Sequence, residues 1–429
     1  MVEQVQKAHK RLKGFVDYTA LKLSRAFSKE CDNTVLLKKE NEQITNSFKI
    51  RGGANATFII DEEQPQVDSV VTASAGNHAQ GVAAAATEKN MKSLIVMPEC
   101  APYSKISSTR NLGGEVVLHG ATYDDAYEHA RKIAEERGGE FIHAFDNLDV
   151  IAGQGTIGLE ILESAPDVDA IYVPTGGGGL LAGIASYVKQ VNPKVKVYGV
   201  QAKGANALEQ SFKSKEYITT ESVSTRADGI AVKKPGQITL GLINKYVDDV
   251  YSVSESEIAS TLYKVHEMEG TKVEPAGAVA LAHVLGDKMV GSNKRVVCIL
   301  SGRNIDNTQF NQILEEGKIA SGKALKLRLQ MPNRPSAVLP LIQFLGDSGV
   351  NIDEFLFPKN SPHVTLECST KNHEHCAKLS QTFKDRVTRC AHERNGKDLH
   401  TRPFCEGAEG YGHRVLLGTC PSQVRRRDY

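Results

Sequence analysis

The chain has 429 residues, 40% of them hydrophobic, with 52 basic and 51 acidic residues and a formal net charge of +1. That length predicts two or three domains, and the balanced charge argues against nucleic acid or an anionic membrane as a partner. No apolar run reaches the roughly 20 residues that span a bilayer.

Residues 1–13 alternate in charge and lack an apolar stretch, so no secretory signal is expected and the cytoplasm is the expected location. Residues 93–98 read as a strand ended by Pro98, residues 115–118 as a second strand, and residues 123–136 as a helix. Residues 170–174 form a third strand that runs directly into Gly176, Gly177, Gly178 and Gly179. Residues 196–200 and 295–300 are two more. Short, fully apolar strands between helices predict a parallel sheet covered on both faces, an α/β architecture. Such sheets bind ligands beyond the carboxyl ends of their strands, where the glycines and Ser301 both fall.

The pattern changes near residue 320. Leu325, Leu327 and Leu329 alternate with Lys326 and Arg328, as in an antiparallel strand buried on one face. Pro332-Asn333-Arg334-Pro335 is a turn, residues 337–345 an amphipathic helix, residues 364–368 a strand and residues 374–386 a helix. This is a β-α-β-β-α module with its own core. Residues 391–429 read as an irregular tail. The eight cysteines are expected as free thiols of a reducing compartment. Cys368, His373, His375 and Cys376 lack a C-x-x-C pair, so no metal is expected.

Four segments carry chemistry. Lys49, in Asn46-Ser47-Phe48-Lys49-Ile50-Arg51-Gly52-Gly53, would be an ordinary helix lysine if exposed; buried, it becomes an amine able to attack an aldehyde. Four glycines between a strand and a helix offer backbone N–H groups and a helix N-terminus to a phosphate. The run fits neither G-x-G-x-x-G nor a nucleotide loop with Lys-Ser/Thr. Ser74-Ala75-Gly76-Asn77-His78 places donors for a carboxylate before a helix, with N-capping by Ser74 as its ordinary alternative. Ser301 can meet a ring nitrogen with a neutral hydroxyl. Glu274 is a further candidate, or else an acid stabilised by the dipole of the helix it starts. An amine, a phosphate cradle, a carboxylate loop and a hydroxyl together are what pyridoxal phosphate acting on an amino acid requires.

These segments, with Val150-Ile151-Ala152-Gly153-Gln154-Gly155-Thr156, Ala227-Asp228-Gly229, Glu274-Pro275-Ala276-Gly277 and Ser301-Gly302-Arg303-Asn304, resemble the threonine dehydratase and serine racemase group of fold-type II pyridoxal phosphate enzymes. The resemblance runs from about Leu12 to Ile319. It implies a tryptophan synthase β-like catalytic domain over 1–320 with two parallel-sheet subdomains, the smaller at about 46–150. It implies that Lys49 binds pyridoxal phosphate as a Schiff base, that Phe48 packs by the ring, and that Asn77 contacts the 3′-hydroxyl. Gly176, Gly177, Gly178, Gly179 and Leu180 would hold the phosphate and Ser301 the pyridine nitrogen. Ser74, Ala75, Asn77 and His78 would line the substrate carboxylate, with Gly229 and Glu274 nearby. The implied reaction is deamination of L-threonine to 2-oxobutanoate and ammonia, with L-serine a secondary substrate.

A serine racemase, or a bifunctional racemase and dehydratase, is the alternative on this scaffold, and a non-catalytic amino-acid sensor a more distant one. Racemases of the group usually carry a serine at Ala75 and a divalent-cation site of carboxylates where this chain has Gln201-Ala202-Lys203-Gly204-Ala205-Asn206-Ala207. Both departures point to a dehydratase with no metal. Residues 324–390 resemble an ACT domain, which implies an amino-acid or nucleotide effector, although Ser336 stands where glycine is usual. The group is expected as a homodimer or homotetramer. Arg303 replaces a small residue, and Tyr18-Thr19-Ala20-Leu21 lacks the proline usual there.

Overall fold

The computed structural model describes residues 1–286, 291–330, 338–356, 363–393 and 416–417. The chain divides into two units, Met1–Asn311 and Gln312–Tyr429. The first unit contains α1 (Val2–Leu12), β1 (Leu21–Leu23), α2 (Arg25–Cys31), β2 (Thr34–Lys38), α3 (Lys49–Glu63), β3 (Ser69–Ala73), α4 (Asn77–Glu88) and β4 (Lys92–Met97). Next come α5 (Tyr103–Asn111), β5 (Glu115–Leu118), α6 (Tyr123–Arg137), β6 (Glu140–Phe141), α7 (Leu148–Ser164), β7 (Ala170–Pro174), α8 (Gly179–Val191) and β8 (Lys196–Ala202). The series ends with α9 (Ala207–Ser214), α10 (Gln237–Tyr246), β9 (Asp249–Val253), α11 (Glu255–Glu269), α12 (Pro275–Leu285) and β10 (Arg295–Ile299), and α13 (Asn307–Ala320) spans the division.

The apolar runs become parallel strands, as their composition predicts. A six-stranded sheet has the order β1-β2-β10-β7-β8-β9, parallel apart from the antiparallel β1 edge. A four-stranded sheet has the order β5-β4-β3-β6 and is parallel throughout. Helices cover both sheets. Val71, Ala73, Leu94 and Val96 pack with Ala126, Ala130 and Ile133 of α6, while Val70, Ile95 and Met97 pack with Ala79, Val82 and Ala86 of α4 on the other face. In the larger sheet, Ile171, Val173 and Val197 form one core with α7 and α8. Polar punctuation sets the helix ends: a capping box of Thr122 and Asp125 opens α6, and Gly138 closes it at φ 70°,.

Each sheet reverses its strand order once. In the larger sheet β7, β8 and β9 proceed one way and β10 returns to the opposite side of β7. In the smaller, β3, β4 and β5 proceed one way and β6 lies on the other side of β3. Loops leaving adjacent strands at such a reversal part in opposite directions and open a crevice. The four loops concerned are those after β7 (the glycine run), β10 (Ser301 to Asn304), β3 (Ser74 to Gly76) and β6 (His143 to Asn147).

The second unit contains β11 (Ala324–Gln330), α14 (Leu339–Asp347), β12 (Ile352–Leu356), β13 (His363–Ser369), α15 (His373–Glu393) and β14 (Leu416–Leu417). Its sheet, β12-β13-β11-β14, is antiparallel. Leu325, Leu327 and Leu329 share the buried face with Leu341, Phe344, Leu379 and Phe383, so the alternation of β11 and the β-α-β-β-α order are present. Pro332-Asn333-Arg334-Pro335, Ser336, Cys405, Cys420 and most of the tail expected over 391–429 lie outside the described residues. Cys31, Cys100, Cys298 and Cys368 are free thiols. Among the described residues no helix is long and apolar enough to cross a membrane.

Candidate active site

Lys49 is the first residue of α3, and the start of that helix is stitched to the loop after β10. Ser47 pairs with Gly302, and Phe48 N donates to Ser301 O at 3.1 Å. The partly buried Lys49 donates from Nζ to Ala144 O at 3.3 Å, with the Phe48 ring centroid 5.4 Å from the amine. Burial lowers its pKa to about 8, opposed by the charge of Glu274, so a substantial fraction of neutral, nucleophilic amine exists at mildly alkaline pH. This is not the exposed helix lysine of the ordinary reading.

A buried ion network holds the same helix turn. Arg51 donates to Glu40 Oε2 at 2.8 Å and to Glu160 Oε1 at 2.5 Å, and Lys38 Nζ donates to Glu160 Oε2 at 2.5 Å. Burial alone would push the Glu40 carboxyl up, but the Arg51 guanidinium beside it holds it below the usual range. The segment that lacks the usual proline joins this network: Thr19 Oγ1 donates to Glu40 and Thr19 O accepts from Lys38.

The expected carboxylate loop lies at the start of α4. Gly76, not Ser74, takes the N-cap position, with no side chain capping the helix; Ser74 Oγ instead accepts from Gly76 N at 3.2 Å. Ser74, Ala75, Gly76 and Asn77 keep partial exposure, so first-turn N–H groups remain presented,. Asn77 Nδ2 donates to Glu274 Oε1 at 2.8 Å, and Asn304 Nδ2 donates to Asn77 Oδ1 at 2.7 Å. The imidazole of His78 turns away from this opening. It is 2% exposed, with Nε2 3.4 Å from Ile142 O, and burial, aided by the Lys49 charge, lowers its pKa to about 3.

Glu274 occupies the N-cap of α12 without capping it through its side chain. Dipole stabilisation would lower its pKa; burial, reinforced by the charge of Asp228, raises it to about 8. Glu274 is therefore a buried acid held well above the usual carboxylate range, not the dipole-stabilised carboxylate of the alternative reading. Gly229 lies against it, with the place of a Cβ 3.3 Å from Glu274 Oε1.

All four glycines of the run are hemmed in by protein. A Cβ on Gly177 would lie 2.4 Å from the Phe145 ring, and one on Gly176 would lie 2.8 Å from Ile230 Cα. Gly178 sits at φ 102°, which L side chains rarely adopt,. Packing therefore accounts for glycine at these positions, and the backbone is left as the feature a ligand can use. No side chain caps α8, whose first turn contains Gly179 and the buried Leu180, so its N–H groups are left available to an anion. Ser301 is 3% exposed just past β10.

The fourth loop was missed by reading the sequence for motifs. His143, Ala144, Phe145 and Asp146 lie between Lys49 and the glycine run. The available signal was position: Glu140-Phe141 forms a strand and Asn147 caps a helix, so the residues between belong to the crevice. Arg303 is engaged by Asn46, to whose Oδ1 it donates from Nε at 2.8 Å.

A partly neutral buried amine, an uncapped helix N-terminus after a glycine run, and a buried serine at the neighbouring strand end fit pyridoxal phosphate. Residues 12–302 match the family of pyridoxal-phosphate dependent enzymes, and the chain belongs to that family. It is 41% identical over 389 residues to an L-threonine ammonia-lyase of Thermotoga maritima, covering 89% of this chain and 96% of that one. It is 40% identical over 314 residues to the catabolic L-threonine dehydratase of Escherichia coli K12, covering 73% of this chain and 95% of the other. Among solved structures, processed threonine deaminase isoform 2 of Solanum lycopersicum superposes with a TM-score of 0.69 at 34% identity, over 74% of this chain and 87% of that one. Maize serine racemase gives 0.70 at 33% identity, over 73% and 97%.

Proposed function

We propose that the protein is an L-threonine ammonia-lyase that converts L-threonine to 2-oxobutanoate and ammonia, with L-serine to pyruvate as a slower reaction. The observation that carries the reading is the buried Lys49 amine, with a pKa of about 8, at the crevice where both sheets reverse. Bound pyridoxal phosphate supplies the aldehyde and the electron-withdrawing ring that such a deamination needs. Lys49 would hold the cofactor through Nζ, and the same amine, when free, would take the proton from the substrate Cα. The N–H groups at the start of α8 would hold the phosphate, Ser301 would donate to the ring nitrogen, and Asn77 would contact the 3′-oxygen. Ser74 and the first turn of α4 bind the substrate carboxylate. The relatives named for L-threonine cleavage, at 40% and 41% identity, support this choice of substrate. Ala75 and the carboxylate-free stretch 201–207 support elimination over racemisation.

The finer assignments are a homo-oligomer in the cytoplasm, for which the free thiols speak, and an ACT-like second unit that senses an amino-acid or nucleotide effector, for which its β-α-β-β-α order speaks. Deleting residues from 324 onward is expected to leave turnover and abolish any such response; a shortened protein that still responds would contradict that role.

The deciding experiment for the activity reads the absorbance of the purified, pyridoxal phosphate-loaded protein while L-threonine is added and 2-oxobutanoate and ammonia are assayed. Lys49→Ala should remove the lysine-bound absorbance and lower turnover by at least ~10²-fold. A wild-type protein that binds the cofactor but releases no oxo acid, or an active Lys49→Ala variant, would sink the reading.

A further inference from the structure

We propose that His143 is a positioning residue: by accepting two backbone N–H groups at Nδ1, it shapes the turn that sets the Lys49 amine relative to the glycine run. The inference deepens the proposed function and rests on its assignment of Lys49 and the glycines.

The turn follows β6 at the reversal of the smaller sheet. Phe145 N donates to His143 Nδ1 at 3.2 Å and Asp146 N donates to the same atom at 2.9 Å. These are the i+2 and i+3 amides, the pair that Asn147 Oδ1 collects from Asp149 N and Val150 N at 2.8 and 3.0 Å when it caps α7. His143 thus does with an imidazole what asparagine does in an Asx turn. An accepting Nδ1 is unprotonated, which places the neutral ring's proton on Nε2. Burial, partly opposed by Asp146, lowers the pKa of the ring to about 4, so the acceptor persists across the physiological range. Phe145 meets the ring edge-on at 4.6 Å and Tyr127 at 5.7 Å, fixing its plane.

Three contacts follow from the shape of the turn. Ala144 O, between the residues His143 ties together, accepts from Lys49 Nζ at 3.3 Å. The Phe145 ring covers Gly177. Asp146 accepts from Gln237 N and Thr239 N, at 2.9 and 3.1 Å, where α10 begins. Thr239 Oγ1 then donates to Gly177 O at 2.7 Å. Amine and phosphate cradle are therefore both referenced to four consecutive residues. A small rotation of this turn would move one against the other, and sub-ångström errors of that kind are costly to a reaction that depends on alignment.

The test compares His143→Asn, which retains an acceptor for the same two amides, with His143→Leu, which does not. Both are made in the full chain, with pyridoxal phosphate as the probe. Four quantities are read: the dissociation constant of pyridoxal phosphate, the pH midpoint of the bound cofactor's absorbance change, and kcat and KM for L-threonine. His143→Leu is expected to bind the cofactor at least ~10-fold more weakly, from the loss of two backbone acceptor bonds. Its midpoint should shift, and kcat should fall more than KM rises. His143→Asn is expected to stay within ~3-fold of wild type, with an unshifted midpoint. His143→Leu behaving as wild type, or His143→Asn failing as badly as His143→Leu, would overturn the proposal. If His143→Leu does not fold, His143→Asn decides alone, a tenfold loss of affinity counting against the turn. Wild-type protein without L-threonine turnover would sink the activity reading and leave the cofactor comparison standing.

Discussion

Arg51 donates from Nη1 and Nη2 to the two carboxylate oxygens of Glu160, at 2.5 and 2.9 Å, and the two side chains are 0% and 2% exposed. Arg51 lies two residues beyond Lys49, so this fork, with the Arg51 bonds to Glu40, fixes the helix turn that aims the amine. Removing Arg51 leaves Lys38 on Glu160 but takes the guanidinium from the buried Glu40 carboxylate, and breaking a buried ion pair in this way costs about 3–5 kcal/mol. Arg51→Met should lower the stability of the first unit by that order, read as a drop in the urea midpoint. A midpoint within error of wild type would mean that Lys38 compensates both carboxylates unaided.

Glu274 makes stability depend on pH in a direction opposite to a salt-bridged acid. Its folded pKa is raised from 4.5 to about 8. Below the unfolded value both states are protonated and burial of the neutral acid is tolerated. Between the two values the unfolded chain has released its proton and the folded one has not, so stability falls as pH rises through that window and levels off above it. Glu274→Gln removes the titration and still offers Asn77 an acceptor. The variant should gain on wild type by roughly 3–4 kcal/mol between pH 5 and 8, measured by thermal denaturation at a series of pH values. Parallel curves for the two proteins would show that Glu274 is ionised in the folded state.

Of the strands that frame the site, β7 and β10 were readable because each is a short apolar run stopped by proline or serine, and β7 begins and ends at the residues its composition marks; β3 and β6 were not singled out, β6 being only two residues long. The glycine run and Ser301 were readable because they lie beside those strand ends, and Lys49 because the other three segments supply the partners its amine needs. Arg51, Lys38 and Glu40 were not, because a charged residue in isolation reads as solvated and only the fold supplies their partners. The glycine run was half readable: its phosphate chemistry follows from composition, whereas the demands of Phe145, Ile230 and Thr239 on the same backbone come from distant segments. His143 escaped because a lone histidine near a strand end has no spacing pattern. The functional atom there is a ring nitrogen bonded to its own chain, a local geometry that composition does not encode.

Gly177→Ala tests that double demand. The added methyl would meet the Phe145 ring 2.4 Å away, and overpacking of this kind costs about 1–3 kcal/mol. Both stability and cofactor retention should fall, because the ring can yield only by moving the turn that holds Ala144 O against Lys49. Gly241→Ala is the control. It lies inside α10 with nothing within 4 Å of the new methyl, and should stabilise by about 0.5–1 kcal/mol through helix propensity. Equal responses from the two variants would mean that Phe145 is free to move aside.

In the proposed reading, Ala75 is the residue that favours elimination over racemisation. It lies in the partly exposed loop between β3 and α4, beside Ser74, and its methyl can neither give nor take a proton. Lys49 then serves one face of the substrate Cα, and a proton returned to that face regenerates the L-amino acid. A hydroxyl at position 75 would supply an acid to the opposite face, a contribution worth on the order of 10²-fold or more where the group is well placed. Ala75→Ser should therefore raise D-serine formed from L-serine relative to pyruvate by about tenfold or more, followed by chiral separation of the products alongside the oxo acid assay. An unchanged ratio with intact turnover would mean that position 75 does not face the Cα, and that discrimination between the two reactions resides elsewhere in the crevice.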